Sequence, residues 1–177
     1  ATSATVAGQT LRAFGLDVSE TSRVTDTMAS SFSLSALDMD KFANSMAYVA
    51  PIARQVGIDI ETTTAVLGTL ANSGIEGSMA GTALRNIFLE LGNEGSKLSK
   101  KIGFSVKSSE DLQKAFDKLS KEGLGSTEML KLVDKRAVSA FDILINGAKS
   151  TNTLAESLKE AGGEAQRMAD IQLDNLS

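Results

Sequence analysis

Hydrophobic residues recur at intervals of three and four along most of the chain. Between residues 38 and 51 one such series consists of Met39, Phe42, Ala43, Met46 and Ala50. A helix completes a turn every 3.6 residues, so this spacing places all five side chains on one helical face. Comparable stripes predict further helices over 3–14, from Ser19, over 59–71, from Ser78 to Gly92, from Ser108 to Gly123, over 126–133 and from Asp134. A weaker stripe predicts a helix over 151–176, in which Gly162-Gly163 is a candidate break.

Strand patterns are scarce. The only short β-like segment, 102–108, is interpreted as a loop or a single extended stretch. The predicted fold is therefore all-α: an array of about seven to nine short helices, with junctions at Gly and Pro and no significant sheet.

Helix-breaking residues interrupt the apolar segment 48–88. Pro51 lacks a backbone N–H and predicts a kink in the third helix. Gly57 and Gly74 predict helix ends, because glycine readily adopts the left-handed conformation that terminates a helix. Gly77 and Gly81 predict close packing of a neighbouring helix. A glycine inside a helix costs about 1 kcal/mol relative to alanine, which tight packing would offset.

A four-residue pattern occurs twice, each time between two predicted helices. Gly15-Leu16-Asp17-Val18 recurs as Gly57-Ile58-Asp59-Ile60, with a looser third copy at Gly103. The glycine is expected to end one helix and the aspartate to cap the next. The predicted structural junctions are thus Gly15, Asp17, Pro51, Gly57, Asp59, Gly74, Gly77 and Gly81.

Composition removes several kinds of chemistry. The 177 residues include no Cys and no His, so thiol nucleophiles, disulfides and the commonest general base are absent, and no metal or cofactor is expected. No apolar run is long enough to cross a membrane. Residues 1–95 carry 5 basic and 10 acidic residues, whereas 96–177 carry 13 and 12. The overall net charge of −4 argues against nucleic-acid binding.

The change in charge predicts a boundary near residue 95. It falls beside Lys97, Lys100 and Lys101, which are interpreted as a solvated loop. We expect helices over 1–95, a second helical sub-region over 96–147, and an amphipathic helical tail over 148–177. The chain begins at Ala1 and ends within a helical pattern, so the tail is expected to continue into a longer protein.

Catalytic and ligand-binding motifs are incomplete in this sequence. Gly74, Gly77 and Gly81 precede a helix, but the lysine of a phosphate-binding loop is missing. The calcium-loop pattern beginning at Asp38 has Ala43 where glycine is required. Neither Gly-x-Ser-x-Gly nor Ser-x-x-Lys occurs. A glycoside hydrolase would need paired carboxylates, for which the candidates are Glu61, Glu76, Glu90 and Glu94; all are predicted at helix starts, loops or solvated faces.

Three segments resemble the core region of tail tape measure proteins of tailed phages and prophages. They are LRAFGLDVSETSRVTDTMA at 11–29, YVAPIARQVGIDIETTTAVLGTLANSGIEGSMAGTALRNIF at 48–88, and DKRAVSAFDIL at 134–144. Residues 73–85 carry the longest and most specific part of the likeness. The similarity covers about 1–147 and is general in character beyond that.

The resemblance implies a structural, non-enzymatic role inside a phage tail. Proteins of this family lie within the tail tube, set its length, take part in tail assembly and leave ahead of the DNA. Implied partners are tail-tube subunits, tail assembly chaperones and further copies of the chain, with neither nucleic acid nor membrane. The implied location is the tail lumen of the virion, and the host bacterial cytoplasm during assembly. Two alternatives stay open: a peptidoglycan-hydrolysing tail domain and a generic helical adaptor.

Overall fold

The computed structural model describes residues 2–176, and within them the fold is entirely helical. Residue 1 of the predicted sub-region 1–95 and residue 177 of the predicted tail 148–177 lie outside this range. The helices are α1 (Ser3–Ala13), α2 (Thr21–Leu34), α3 (Met39–Val56), α4 (Ile60–Asn72), α5 (Gly77–Gly92), α6 (Lys97–Ile102), α7 (Ser109–Glu122), α8 (Ser126–Leu132), α9 (Val138–Asn146), α10 (Ala148–Lys159) and α11 (Glu164–Leu176), with 3₁₀ turns at Val18–Glu20 and Lys135–Ala137.

The all-α prediction is confirmed, but the predicted number of helices is wrong. The described chain forms eleven α-helices rather than seven to nine. One extra helix arises because the predicted stretch 151–176 divides at Gly162 and Gly163, where Gly163 adopts a φ of 82°. The other is α6. The predicted division into three sub-regions stays a prediction, although one buried cluster runs from Val6 to Ala148.

The lysine-rich segment after residue 95 is helical, so its interpretation as a solvated loop is wrong. The Ser96 hydroxyl accepts a hydrogen bond from the Ser99 backbone N–H at 3.0 Å and caps α6. Leu98 and Ile102 are buried, while the lysines project from the other side of the helix. Lys101 pairs with Glu122 at 3.2 Å, which raises the pKa of its ammonium group.

Helices α3 and α5 pack side by side and run in the same direction. Gly81 lies against Ser45, and eleven residues further along each helix Gly92 lies against Val56. Eleven residues are close to three helical turns, so both contacts fall on the same face of each helix. Ahead of them, Lys41 pairs with Glu76 at 2.9 Å. The three contacts follow in the same order and at nearly the same spacing along both helices, so the two helices form a parallel pair.

Helix α4 connects this parallel pair and is buried on nearly all sides. Twelve of its thirteen residues are buried, among them Glu61, Thr62, Thr63 and Thr64. Helices α2, α3, α5, α9 and α10 surround it. At its far end the Thr69 and Thr151 hydroxyls form a hydrogen bond of 2.6 Å that joins α4 to α10. The sequence had predicted only a one-sided apolar face for this helix.

Two negative findings concern residues 2–176. No helix there combines the length and apolar character needed to cross a bilayer. Nor does that part of the chain gather three or more acidic side chains in an arrangement suited to a metal ion.

Replacing Gly81 by alanine is expected to destabilise the fold. A Cβ at this position would lie 2.5 Å from the Ser45 carbonyl oxygen, and this backbone cannot retreat without displacing α3. We expect the free energy of unfolding to fall by about 2 kcal/mol, despite alanine's better helix propensity. Urea denaturation followed by far-UV circular dichroism measures this change.

Gly8→Ala is the matched control for that experiment. Gly8 also lies within a helix, but a Cβ there would meet only the Arg12 side chain at an ordinary 3.6 Å. This variant should gain about 0.5–1 kcal/mol. Equal responses at the two positions would show that close packing does not explain Gly81.

Three consecutive threonines in α4 provide a second test. Among residues 2–176 the buried Thr62 and Thr64 hydroxyls have no hydrogen-bond partner, whereas the Thr63 hydroxyl donates to the Asp59 carbonyl at 2.8 Å. Valine has nearly the same shape without the hydroxyl. Thr62→Val and Thr64→Val should each raise the free energy of unfolding by about 1 kcal/mol, and Thr63→Val should lower it by about 1 kcal/mol. Similar urea midpoints for all three would contradict this account.

Candidate functional site

The predicted junction glycines lie at or beside helix ends, except Gly81, which lies inside α5. After α1, α3 and α4 the chain turns through a glycine with positive φ, and the following apolar residue closes the turn. The N–H groups of Leu16, Ile58 and Ile75 donate to carbonyls five residues earlier, at 2.9 Å in each case. Gly15, Gly57 and Gly74 thus end three helices through the same Schellman-type hydrogen bond. Gly74 was predicted as a helix end, but its likeness to the four-residue pattern was not predicted, because Glu76 rather than aspartate follows Ile75.

Gly57 shows why glycine is required at one of these turns. Its φ is 88°, a conformation that side chains with a Cβ rarely adopt. A Cβ there would also collide with the Lys107 carbonyl of the loop that follows α6. The adjacent Asp59 N–H donates to the Ser109 hydroxyl at 3.0 Å. This junction therefore fixes the start of α4 against the start of α7.

The two predicted aspartate caps occupy different elements. Asp59 accepts from the Thr62 N–H at 2.7 Å and caps α4. Asp17 accepts from the Ser19 hydroxyl and N–H, which lowers its pKa. This contribution to stability is present above the ordinary aspartate pKa and is lost as the pH falls through the lowered value.

Two helix starts that were predicted at serines are wrong. Ser19 lies inside the 3₁₀ turn capped by Asp17, and α2 begins after Glu20 without a side-chain cap. Ser78 is the second residue of α5, and Glu76 occupies the cap position. Gly77 is the first residue of that helix, with a φ of 62°, and a Cβ there would meet nothing within 4 Å, so the close packing predicted at Gly77 is wrong. Pro51 lies within α3, which continues to Val56, so the kink predicted there stays a prediction.

The carboxylate candidates for hydrolysis lie on separate elements. Glu61 lies in α4, whereas Glu76 precedes α5 and pairs with Lys41. Glu94 follows α5 and pairs with Lys107 at 3.3 Å. The fourth candidate, Glu90, lies near the end of α5, where its backbone carbonyl accepts a hydrogen bond from the Ser96 hydroxyl.

Glu61 lies in the first turn of α4, a helix start of the kind predicted for these acids, but its side chain is buried. Both of its oxygens accept from the Arg23 guanidinium, at 2.6 and 2.9 Å. Hydrogen bonding to the Glu61 carboxylate raises the pKa of Arg23, so the guanidinium stays charged. The two-pronged contact joins α2 to α4 and supplies partners for a carboxylate that would otherwise be costly to bury.

A groove between α5 and the start of α9 forms the main candidate docking surface. Two adjoining depressions of about 370 and 220 Å³ share Thr82, Ala83 and Arg136. We call them together the α5 groove, lined by Ile75, Ser78, Met79, Thr82, Ala83, Arg85, Asn86, Leu89, Asp134, Arg136, Ala137, Ser139 and Ala140. Ala83, Ala137 and Ala140 are buried, while Met79 and Leu89 are exposed at its edge.

The α5 groove brings together two segments that are distant in sequence. The Asp134 N–H donates to the Asn86 side chain at 2.9 Å across a sequence separation of 48, and this contact holds the 3₁₀ turn Lys135–Ala137 against α5. Residues 75–89 supply one wall and 134–140 supply the other. Both stretches overlap segments that carry the tape measure resemblance, and this overlap was the only signal for the groove in the sequence.

Comparison with known proteins identifies the family. The family described as phage-related minor tail protein matches residues 1–132. The chain belongs to the phage-related minor tail protein family. Its predicted place in a phage tail is thereby confirmed at the level of the family.

Two relatives of this family member confirm the resemblance seen in the sequence. The tape measure protein of Pneumococcus phage Dp-1 is 28% identical over 198 residues, covering 100% of this chain and 17% of the relative. The probable tape measure protein of Escherichia phage P2 is 26% identical over 181 residues, covering 93% of this chain and 22% of the relative. The chain thus spans about a fifth of the length of these relatives. No solved structure matches it.

Removing the guanidinium group of Arg23 is expected to destabilise this minor tail protein segment. Arg23→Met would leave Glu61 buried without its partner, which should lower the free energy of unfolding by about 2 kcal/mol, less than for a fully buried pair because Arg23 is partly exposed. Urea denaturation measures the loss. The control is Lys159→Met, which removes a 3.7 Å ion pair with the exposed Glu156 and should change stability by less than about 0.5 kcal/mol. Equal losses in the free energy of unfolding for the two variants would show that the Arg23–Glu61 pair contributes no more than an exposed ion pair.

Proposed function

We propose that this chain is a segment of a tape measure protein and contributes to tail-length determination, tail assembly, packing in the tail tube and ejection. The observation that carries the proposal is that similarity to two tape measure proteins extends over 100% and 93% of the chain. The role is structural rather than enzymatic. Glu61, Glu76 and Glu94 are each ion-paired with a basic side chain, an arrangement that gives no specific support to peptidoglycan hydrolysis.

The proposed partners follow from this role. They are tail-tube subunits, tail assembly chaperones and further copies of the chain, with neither nucleic acid nor membrane among them. The proposed locations are the tail lumen of the virion and, during assembly, the cytoplasm of the host bacterium. The exposed apolar side chains along the α5 groove are suited to contacts with protein partners.

We propose that the segment is compact when free and opens when packaged. Its accessible surface of 8865 Å² is within a tenth of the roughly 8,200 Å² expected for a compact monomer of this mass. Such a body has a radius of gyration of about 16 Å. The same residues drawn out as one continuous helix would span about 260 Å. Short helices joined at glycine turns provide the places where the chain can extend.

Duplicating residues 2–176 within the full-length gene tests the proposal. If the segment extends inside the tail, each added copy should lengthen the tail by up to about 260 Å, as measured by electron microscopy. A copy that remains compact would add no more than about 40 Å. An unchanged tail length would remove this segment from length determination.

The matched control for the duplication is an insertion at the same site. It carries an unrelated helical domain with the same number of residues, which separates the effect of chain length from that of this sequence.

Small-angle scattering of the isolated segment establishes whether the free form is compact. Release of soluble fragments from peptidoglycan by the purified chain would favour the hydrolase alternative instead.

A further inference from the structure

The last described helix leaves a stripe of large apolar side chains in solvent. Helix α11 lies against α2, where the Asp26 carboxylate accepts from the Gly163 and Ala165 N–H groups at 3.0 Å each. None of the α11 side chains is buried, and Leu173 and Leu176 are 65% and 84% exposed. With Ala169 they follow a spacing of i, i+4 and i+7, which places them on one face. The anchoring of α11 at its first turn therefore leaves its second half uncovered.

The same helix is acidic. It contains Glu164, Asp170 and Asp174 but only one basic residue, Arg167, which pairs with Glu164. Because α11 carries an apolar face beside a net negative charge, a complementary partner surface would have an apolar floor and a positively charged rim.

The α5 groove has this complementary character. Arg85 and Arg136 are both exposed, and no carboxylate within residues 2–176 forms an ion pair with either guanidinium. Asp134 is the one acidic residue that lines the groove, and its carboxylate accepts from the Arg136 backbone N–H at 2.9 Å. The floor consists of alanines, which leave room for larger side chains from a partner.

We propose that α11 of one copy docks into the α5 groove of a second copy. Met79 and Leu89 are ten residues apart on α5, a distance of about 15 Å, and the thirteen residues of α11 span about 20 Å. The Leu173 and Leu176 side chains fill the alanine floor between Met79 and Leu89, and the acidic flank of α11 meets Arg85 and Arg136. Self-association by this route uses two different surfaces of the same chain.

The inference deepens the self-association included in the proposed function by naming both contacting surfaces. It rests only on the proposed self-association. Its test uses the purified chain without tail components, so the test does not depend on any role in tail length. A chain could associate in this way without measuring tail length, and it could measure tail length without this contact. The two proposals therefore fail separately.

Sedimentation velocity over a concentration series tests the contact from both sides. Leu173→Glu with Leu176→Glu disrupts the helix surface, and Arg85→Glu with Arg136→Glu disrupts the groove. Each pair should weaken self-association by about tenfold or more. Arg85→Lys with Arg136→Lys keeps the charge and should weaken it by only about threefold or less. These side chains are all exposed, so circular dichroism should show an unchanged fold.

Val18→Glu is the matched control. Val18 is 76% exposed and lies on neither surface, so this variant should associate like the unmodified chain. Mixing the helix variant with the groove variant should restore a one-to-one complex, because one intact helix and one intact groove remain. The proposal is overturned if the unmodified chain stays monomeric at every concentration, or if neither double glutamate variant associates more weakly than the unmodified chain. It is also overturned if mixing the two variants gives no complex.

Discussion

The close approach of α5 to the backbone of α3 determines much of this fold. At Gly81 there is no room for a side chain, since the Ser45 carbonyl occupies the space that a Cβ would need. Two helices that run parallel cannot be joined by a short turn, so the chain must return between them. Helix α4 is that return. Once it lies behind the pair, α2, α9 and α10 cover it, and its buried polar residues need partners from those neighbours.

The polar groups of α4 show how the surrounding helices meet that need. Arg23 from α2 supplies both hydrogen bonds to Glu61, and Thr151 from α10 reaches Thr69. Two hydroxyls, those of Thr62 and Thr64, remain without partners in the described structure. A buried helix of this composition is less favourable than an apolar one. Its polar contacts fix the rotation of α4 relative to α2 and α10.

Local features of the fold were predictable because their causes lie within a few residues. Gly57 with Asp59, and Ser108 with Gly123, end or cap the helices that the pattern assigned to them. Helix α6 was missed because Leu98 and Ile102 are its only large apolar residues among three lysines. The buried pair Arg23–Glu61 and the α5 groove join residues far apart in sequence. Periodicity carries no information about such long-range contacts, so the candidate site was visible only through family resemblance.

The two ends of the described chain share one neighbour. Both α1 and α11 pack against α2, and α11 has no buried side chain. Helix α1 also packs against α3, whereas α11 packs against α2, so a mechanical load applied at the C-terminal end would act on α2 before it reaches the parallel pair. Helix α11 would peel away first at the Asp26 contact. The segment is thus graded in its resistance to pulling, weakest at the C-terminal side and strongest where α3 and α5 interlock.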